Sequence, residues 1–463
     1  MRLAHPGSSE WWRAESQTAY GDAPGAPVGA AAEATESPVP FWALMGFTFI
    51  LLLAPQSFFP ALAPLRIALL TAAVAVITHV SNRLSRRQPI VHLTREMWIT
   101  VGLIGWAFIT VPFSYWPGGS LSFLAGDYLK TLAIFWLLSN VVDTPARLRQ
   151  VTWGLSLMAI PLAVTAVENF LSGAYIPEEM HQPVKRILGY EGPLTENPND
   201  LALMLNLILP LSVALFLANR KPLGRALLLM VILLQATAVI LTFSRTGFLT
   251  LATTVLLYLW KLRARTERVW AWVAVVLAFA CIPWLPSGYL DRLSTIASIE
   301  SDVTGSAQER WRDMVAAGDL VLKNPIVGAG AGLNALALNE ERGPAWKVIH
   351  NVYLEYAVEL GVPGLTLFLI LLASCIKNAS LVRQCSAPVL AFRELFHLAE
   401  GIQISLIAFA VAALFHPGGY QFYFYYIAGL AVAAKAVYET GKPTHDQNQS
   451  TAPLGKPLRA SRE

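Results

Sequence analysis

The sequence reads as an all-α protein that crosses a membrane many times and carries one large outer loop. Three observations support that reading. The chain is 55% hydrophobic and only 14% charged over 463 residues, its mean hydropathy is +0.50, and its apolar runs recur near the roughly 20 residues a helix needs to cross about 30 Å of hydrocarbon. A soluble domain carries about a quarter of its residues as charges, so a soluble fold is excluded.

Windows of spanning length give about twelve helices, over 41–59, 61–80, 97–113, 121–142, 151–171, 199–218, 223–241, 245–261, 269–286, 350–376, 394–415 and 421–438. With a cytoplasmic N-terminus, every inside loop is basic. These loops hold Arg83, Arg86, Arg87 and Arg95, then Arg147 and Arg149, then Arg220, Lys221 and Arg225, then Lys261, Arg263, Arg265 and Arg268, then Lys377, Arg383 and Arg393. The short outer loops hold almost no Lys or Arg, as the positive-inside rule requires. The net charge of +4 is explained by this orientation, because the cations sit in short separated loops and form no continuous patch for nucleic acid.

The chain therefore divides into a disordered cytoplasmic tail over 1–40, a transmembrane bundle over 41–438 with a periplasmic loop over 287–349, and a disordered cytoplasmic tail over 439–463. The first tail lacks the basic-then-apolar order of a signal peptide. Within the outer loop, Trp311, Met314, Val315, Val321 and Leu322 fall at helical spacing while Glu309, Arg310, Arg312, Asp313 and Asp319 take other faces, which predicts an amphipathic helix that lies across the membrane surface or caps the bundle. Ser306 and Glu309 have capping-box spacing at its start. Asn324-Pro325 ends it, and Gly328-Ala329-Gly330-Ala331-Gly332 reads as a flexible turn. In the next span Gly361, Pro363 and Gly364 predict a kink or break.

Against this apolar background, three basic residues fall on the outer side. Arg245 lies in the turn Phe243-Ser244-Arg245-Thr246-Gly247, Arg310 in Gln308-Glu309-Arg310-Trp311, and His350 in His350-Asn351-Val352-Tyr353-Leu354-Glu355. Each has two readings. Arg245 is a snorkelling anchor or a planar fork of donors for phosphate oxygens. Arg310 belongs to a charged helix face or to the same anion site. His350 is an interfacial hydrogen-bonded residue or a base that titrates near neutral pH. Asn197 to Asp200 most simply start a helix with Asn199 as its cap, and Glu355 orients His350 or faces the loop as a solvated carboxylate. The cysteines Cys281, Cys375 and Cys385 and the eight histidines show no metal-ligand spacing, so neither a metal nor a cofactor is implied.

Taken in order, Arg186 to Gly189, Glu196-Asn197-Pro198-Asn199-Asp200-Leu201-Ala202, Ser244-Arg245-Thr246-Gly247, Gln308-Glu309-Arg310, Asn324-Pro325-Ile326-Val327-Gly328-Ala329-Gly330, His350-Asn351 and Gly361-Val362-Pro363-Gly364 form a series over about residues 185–376. This series resembles the O-antigen ligase and polymerase superfamily of bacterial envelope glycan assembly. The resemblance implies a metal-independent glycosyltransferase of the inner membrane, working at its periplasmic face. It would move a glycan from a polyprenyl-diphosphate carrier to a glycan, lipid-core or protein acceptor, among membrane lipids and without nucleic acid. By the same resemblance Arg245 and Arg310 contact the diphosphate, His350 activates the acceptor hydroxyl, and Arg186 is a further donor-binding residue. The rival reading is a lipid-linked oligosaccharide flippase with Asp127, Lys130 and Glu168 as pathway charges. Such transporters carry repeated halves, and the long loop and the interrupted span occur once each.

Overall fold

The computed structural model describes residues 37–177, 185–281, 283, 288–294, 305–343 and 345–441. Most of both expected tails and parts of the expected outer loop, including residues 295–304, lie outside them. The helices are α1 (Val39–Leu53), α2 (Pro55–Phe58), α3 (Ile67–Ser85), α4 (Arg95–Thr110), α5 (Pro117–Phe123), α6 (Leu129–Val141), α7 (Pro145–Ser172), α8 (Pro198–Ala218), α9 (Pro222–Leu241), α10 (Arg245–Leu262), α11 (Arg268–Cys281), α12 (Tyr289–Ser294), α13 (Ser306–Lys323), α14 (Asn334–Arg342), α15 (Val352–Ser386), α16 (Arg393–Ala412) and α17 (Phe422–Thr440). One isolated antiparallel bridge, Tyr175 to Ile187, is the β pairing among the described residues.

Local chemistry starts these helices where the chain leaves the membrane. Thr94 caps α4 by accepting from Met97 N at 3.3 Å. Thr144 caps α7 from Arg147 N at 3.2 Å, with Pro145 at the first helical position, where a missing N–H costs nothing. Eight helices among the described residues are long and apolar enough to cross a membrane, and α1 and part of α11 are shorter apolar helices. The other expected spans, on α10 and α17, are less apolar, so the expected count of about twelve exceeds the eight.

The centre of the bundle is set by burial. The apolar window of α8 is 89% buried and that of Leu390–Ala412 is 83% buried, against 6% for Pro60–Ser85. A helix apolar all round belongs inside, and α8 packs on α7, α9, α10 and α16. At one end, Arg265 grips Glu400 through two bonds of 2.7 Å, and Lys261 donates to Gln403 at 2.8 Å. Asp127 and Lys130 pair at 4.0 Å with both side chains mostly exposed, which does not favour them as charges of a transport path.

The predicted break in α15 occurs at Gly361, with φ 68° and ψ −175°. Residues 325–334 pack into it. Ala329 N and Gly330 N donate to the carbonyls of Val358 and Glu359 at 2.7 and 2.9 Å, and Val362 N donates to Pro325 O at 2.8 Å. The Glu359 carboxylate, fully buried, accepts from Gly332 N at 2.7 Å, Asn334 N at 3.0 Å and Asn334 Nδ2 at 2.6 Å. The glycine run is thus not the flexible turn expected. It is a buried strap whose positive φ at Gly328, Gly330 and Gly332 admits it to a space where a Cβ would collide.

Helix α13 forms as expected but turns its small residues inward. Ala316, Ala317, Leu320 and Asp313 are buried, whereas Trp311 is 54%, Val315 50% and Leu322 80% exposed. The expected capping box is absent, because Gly305 is the N-cap without a side-chain bond and Glu309 pairs with Lys347 at 2.6 Å.

Candidate active site

Four helices begin at one end of the bundle, and each start is tied to the next. Asn197 caps α8 by accepting from Asn199 N at 2.8 Å, so the cap is Asn197 and not Asn199 as the sequence suggested. Asn199 is used across the gap instead, its Oδ1 accepting from Ser244 Oγ at 2.8 Å. Ser244 also caps α10 by accepting from Gly247 N at 3.1 Å. A Cβ on Gly247 would lie 2.8 Å from Ala202 Cβ, so glycine lets the two helix starts approach. Phe243, just before, is held at φ 52°, a left-handed conformation that costs an aromatic residue about 1–2 kcal/mol. Such strain is commonest at functional sites.

Arg245 projects from this start and donates from Nη2 to Ser306 Oγ at 2.7 Å. Ser306 is therefore a partner of Arg245, which explains why it does not cap its own helix. Arg310 lies one turn further along α13. Its charge, with that of His416, bears on His350: burial first, then repulsion from Arg310 and His416, push the imidazole down from 6.5 to about 4. Asn351 caps α15 from Tyr353 N and Leu354 N at 2.9 and 3.0 Å, so His350 immediately precedes a helix N-terminus. The structure thus brings together Arg245, Arg310 and His350.

His350 Nδ1 lies 3.0 Å from the carbonyl of Val348. A carbonyl only accepts, so Nδ1 carries the proton and Nε2 presents a lone pair. Near it, His416 Nε2 lies 2.7 Å from Asp200 Oδ1, and its Nδ1 faces the carbonyl of Pro417. The 416–419 loop is held from below by Glu355, whose Oε2 accepts from Gly418 N and Gly419 N at 3.0 and 2.9 Å. Glu355 is buried, so it is not a solvated carboxylate, and the bonds it accepts come from Gly418 and Gly419. His416 was missed in the sequence because a single histidine in a Pro-Gly-Gly turn has no local signature, and its partner is 216 residues away.

Arg186 is placed by the Tyr175–Ile187 bridge, with its carbonyl accepting from Ile176 N at 2.9 Å. Its half-buried side chain is not linked to Arg245, Arg310 or His350 by any contact described above. Beside His416, Tyr423 packs edge-on at 5.8 Å between ring centroids and forms one wall of a narrow apolar slot. Leu51, Leu52, Leu194, Met204 and Ile208 also line it. The Tyr423 hydroxyl is turned away to Leu194 O at 2.7 Å.

Helix starts carry about half a positive charge each, so four of them with two guanidiniums concentrate positive charge at this end of the bundle. No three His, Cys, Asp or Glu side chains cluster as metal ligands would among the described residues.

No curated protein matches the chain at a significant level. A chain in a solved structure described as "Structural coordination of polymerization and crosslinking by a peptidoglycan synthase complex" aligns over 75% of this chain and 97% of that chain, at 16% identity and a TM-score of 0.41, a likeness too slight to carry argument. The model of one family, described as O-antigen ligase, matches residues 204–369. That stretch runs from the first turns of α8 through Arg245, Arg310 and His350 to beyond the break at Gly361, and over those residues the chain is similar to the O-antigen ligase family.

Proposed function

We propose that the protein transfers a glycan from a polyprenyl-diphosphate carrier to an acceptor hydroxyl at the outer face of the bacterial inner membrane. The observation that supports this reading best is the convergence of Arg245, Arg310 and the neutral His350 at four helix starts. The acceptor hydroxyl gives its proton to His350 Nε2 while its oxygen bonds to the anomeric carbon. The bond from that carbon to the diphosphate oxygen breaks, and its electron pair leaves with the lipid diphosphate. Arg245 and Arg310 stabilise the charge that develops there, the role fixed donors play best in a site closed to water. Asp200 and His416 shape the wall nearest His350.

Donor loading and base strength are coupled in this arrangement. Burial, and then Arg310 and His416, depress His350 in the free enzyme, and a bound diphosphate adds negative charge that favours its protonated form. The base therefore strengthens once the donor is in place.

The test is the chain length of carrier-linked glycan in cells expressing only the His350→Ala protein, at matched membrane levels. Long polymer on the carrier identifies a ligase and single repeats identify a polymerase. Carrier-linked glycan identical to that of the unaltered protein would refute the assignment.

A further inference from the structure

A second cationic feature lies at the other end of the bundle. The N-terminal turn of α1, the last turns of α3 and the junction of α6 with α7 enclose a small open cleft, lined by Ser37, Asn82, Arg83, Arg86, Asn140 and Arg147 among others. Helix α7 runs 28 residues from Pro145 to Ser172, and at 1.5 Å per residue this puts roughly 38 Å between Arg147 and the end carrying the active site. The cleft is therefore no part of the transfer site.

Its guanidiniums are held in place before any ligand arrives. Arg83 Nη1 donates to Gln88 Oε1 at 2.9 Å. Arg147 Nη1 donates to Val141 O at 3.1 Å and Asp143 Oδ1 at 2.8 Å. Arg86 is exposed at the mouth. Three arginines line the cleft and no carboxylate does among the described lining residues, Asp143 standing behind Arg147. The N-terminus of α1 adds its own partial positive charge.

The surroundings identify the source of the anion. Next to the lining residues in sequence stand Val39, Trp42, Ile77 and Leu84, which are 46%, 59%, 62% and 60% exposed. On helices α1 and α3, at the end of the bundle whose loops are basic, such side chains meet lipid. Cationic pockets between helices at that depth receive lipid headgroups, and a planar guanidinium fork matches phosphate oxygens. We propose that this cleft binds the phosphate of an anionic phospholipid of the adjoining leaflet, framed by Arg83, Arg86 and Arg147.

Native mass spectrometry of the purified full chain tests this with dioleoyl phosphatidylglycerol, dioleoyl phosphatidylcholine and inorganic phosphate at matched concentrations. The expected result is retention of phosphatidylglycerol over phosphatidylcholine, weakened about tenfold by Arg86→Gln and further by Arg83→Gln/Arg86→Gln. Arg263→Gln, an exposed cation at the same end, should change nothing. Arg86 is exposed, so its replacement leaves the fold intact if the double variant does not. Equal retention of both lipids, or loss from Arg263→Gln as large as from Arg86→Gln, would overturn the proposal. Inorganic phosphate displacing the lipid completely would also overturn it, assigning the cleft to a free anion.

Discussion

Replacing Gly361 by alanine probes the feature on which the active site's geometry rests. The new Cβ would lie 2.1 Å from Ile326 O, 2.5 Å from Ile326 C and 2.8 Å from Pro325 O, all backbone atoms. At φ 68° and ψ −175° the backbone is in a region open essentially to glycine alone, worth about 1–3 kcal/mol of strain for another residue. Overpacking against an unyielding neighbour adds about 1–3 kcal/mol. The sum, about 2–6 kcal/mol, is a large share of the 5–15 kcal/mol typical of a folded domain. Relief requires the strap over residues 325–334 to leave the break or α15 to straighten, and either displaces His350 and Glu355. Gly318→Ala is the matched control, since nothing lies within 4 Å of its Cβ and alanine favours the helix by about 0.5–1 kcal/mol. Denaturant unfolding in one detergent, with limited proteolysis of the strap, measures both. If Gly361→Ala unfolds at the same midpoint as Gly318→Ala, the strap does not hold the break and the reasoning fails.

Glu359→Gln should cost about 2–3 kcal/mol, because an amide cannot accept all three bonds that the carboxylate takes from Gly332 and Asn334; faster amide exchange at these two residues is the readout. Arg245→Lys keeps the charge but loses the fork that reaches Ser306 at 2.7 Å, so transfer should fall roughly 10²-fold at unchanged folded yield. An activity within a factor of two of the parent would remove Arg245 from the diphosphate site. For pH, His350 is lowered from 6.5 to about 4, so the unfolded chain takes up the proton first and the stability this residue contributes is lost as pH falls from about 6.5 to about 4. The acid limb of kcat/KM should then lie near 4, with that of kcat displaced upward once donor is bound; a shared limb near 6.5 would contradict the environment described for His350.

What the sequence revealed was what local chemistry decides. Hydropathy marked the spans, and the Gly361-Val362-Pro363-Gly364 group marked the break, because a missing N–H and a left-handed φ act at the residue that carries them. Faces and partners were illegible where the deciding contact is distant. Ser306 has the spacing of a cap, yet Arg245, 61 residues away, takes its hydroxyl. Trp311, Val315 and Leu322 would be buried in water-soluble packing, but in a membrane-bound protein α13 meets the bundle through Ala316 and Ala317, and the bulky residues face outward. Asp200 and His416 stand 216 positions apart, and no periodicity joins them.

The two glutamates on the first part of α15 show how the loops around the site are fixed from beneath. Glu355 and Glu359 are placed one turn apart on the buried side. Glu355 accepts from Gly418 N and Gly419 N, Glu359 from Gly332 N and Asn334 N. Each anion is thus consumed by backbone donors of a loop that carries or supports a site residue, and backbone donors cannot be titrated away. Asp200, near His350, is engaged by His416 at 2.7 Å. The loops are fixed by carboxylates buried beneath them. The break at Gly361 makes this possible, since a continuous helix would satisfy its own carbonyls and leave the strap of residues 325–334 nothing to bind.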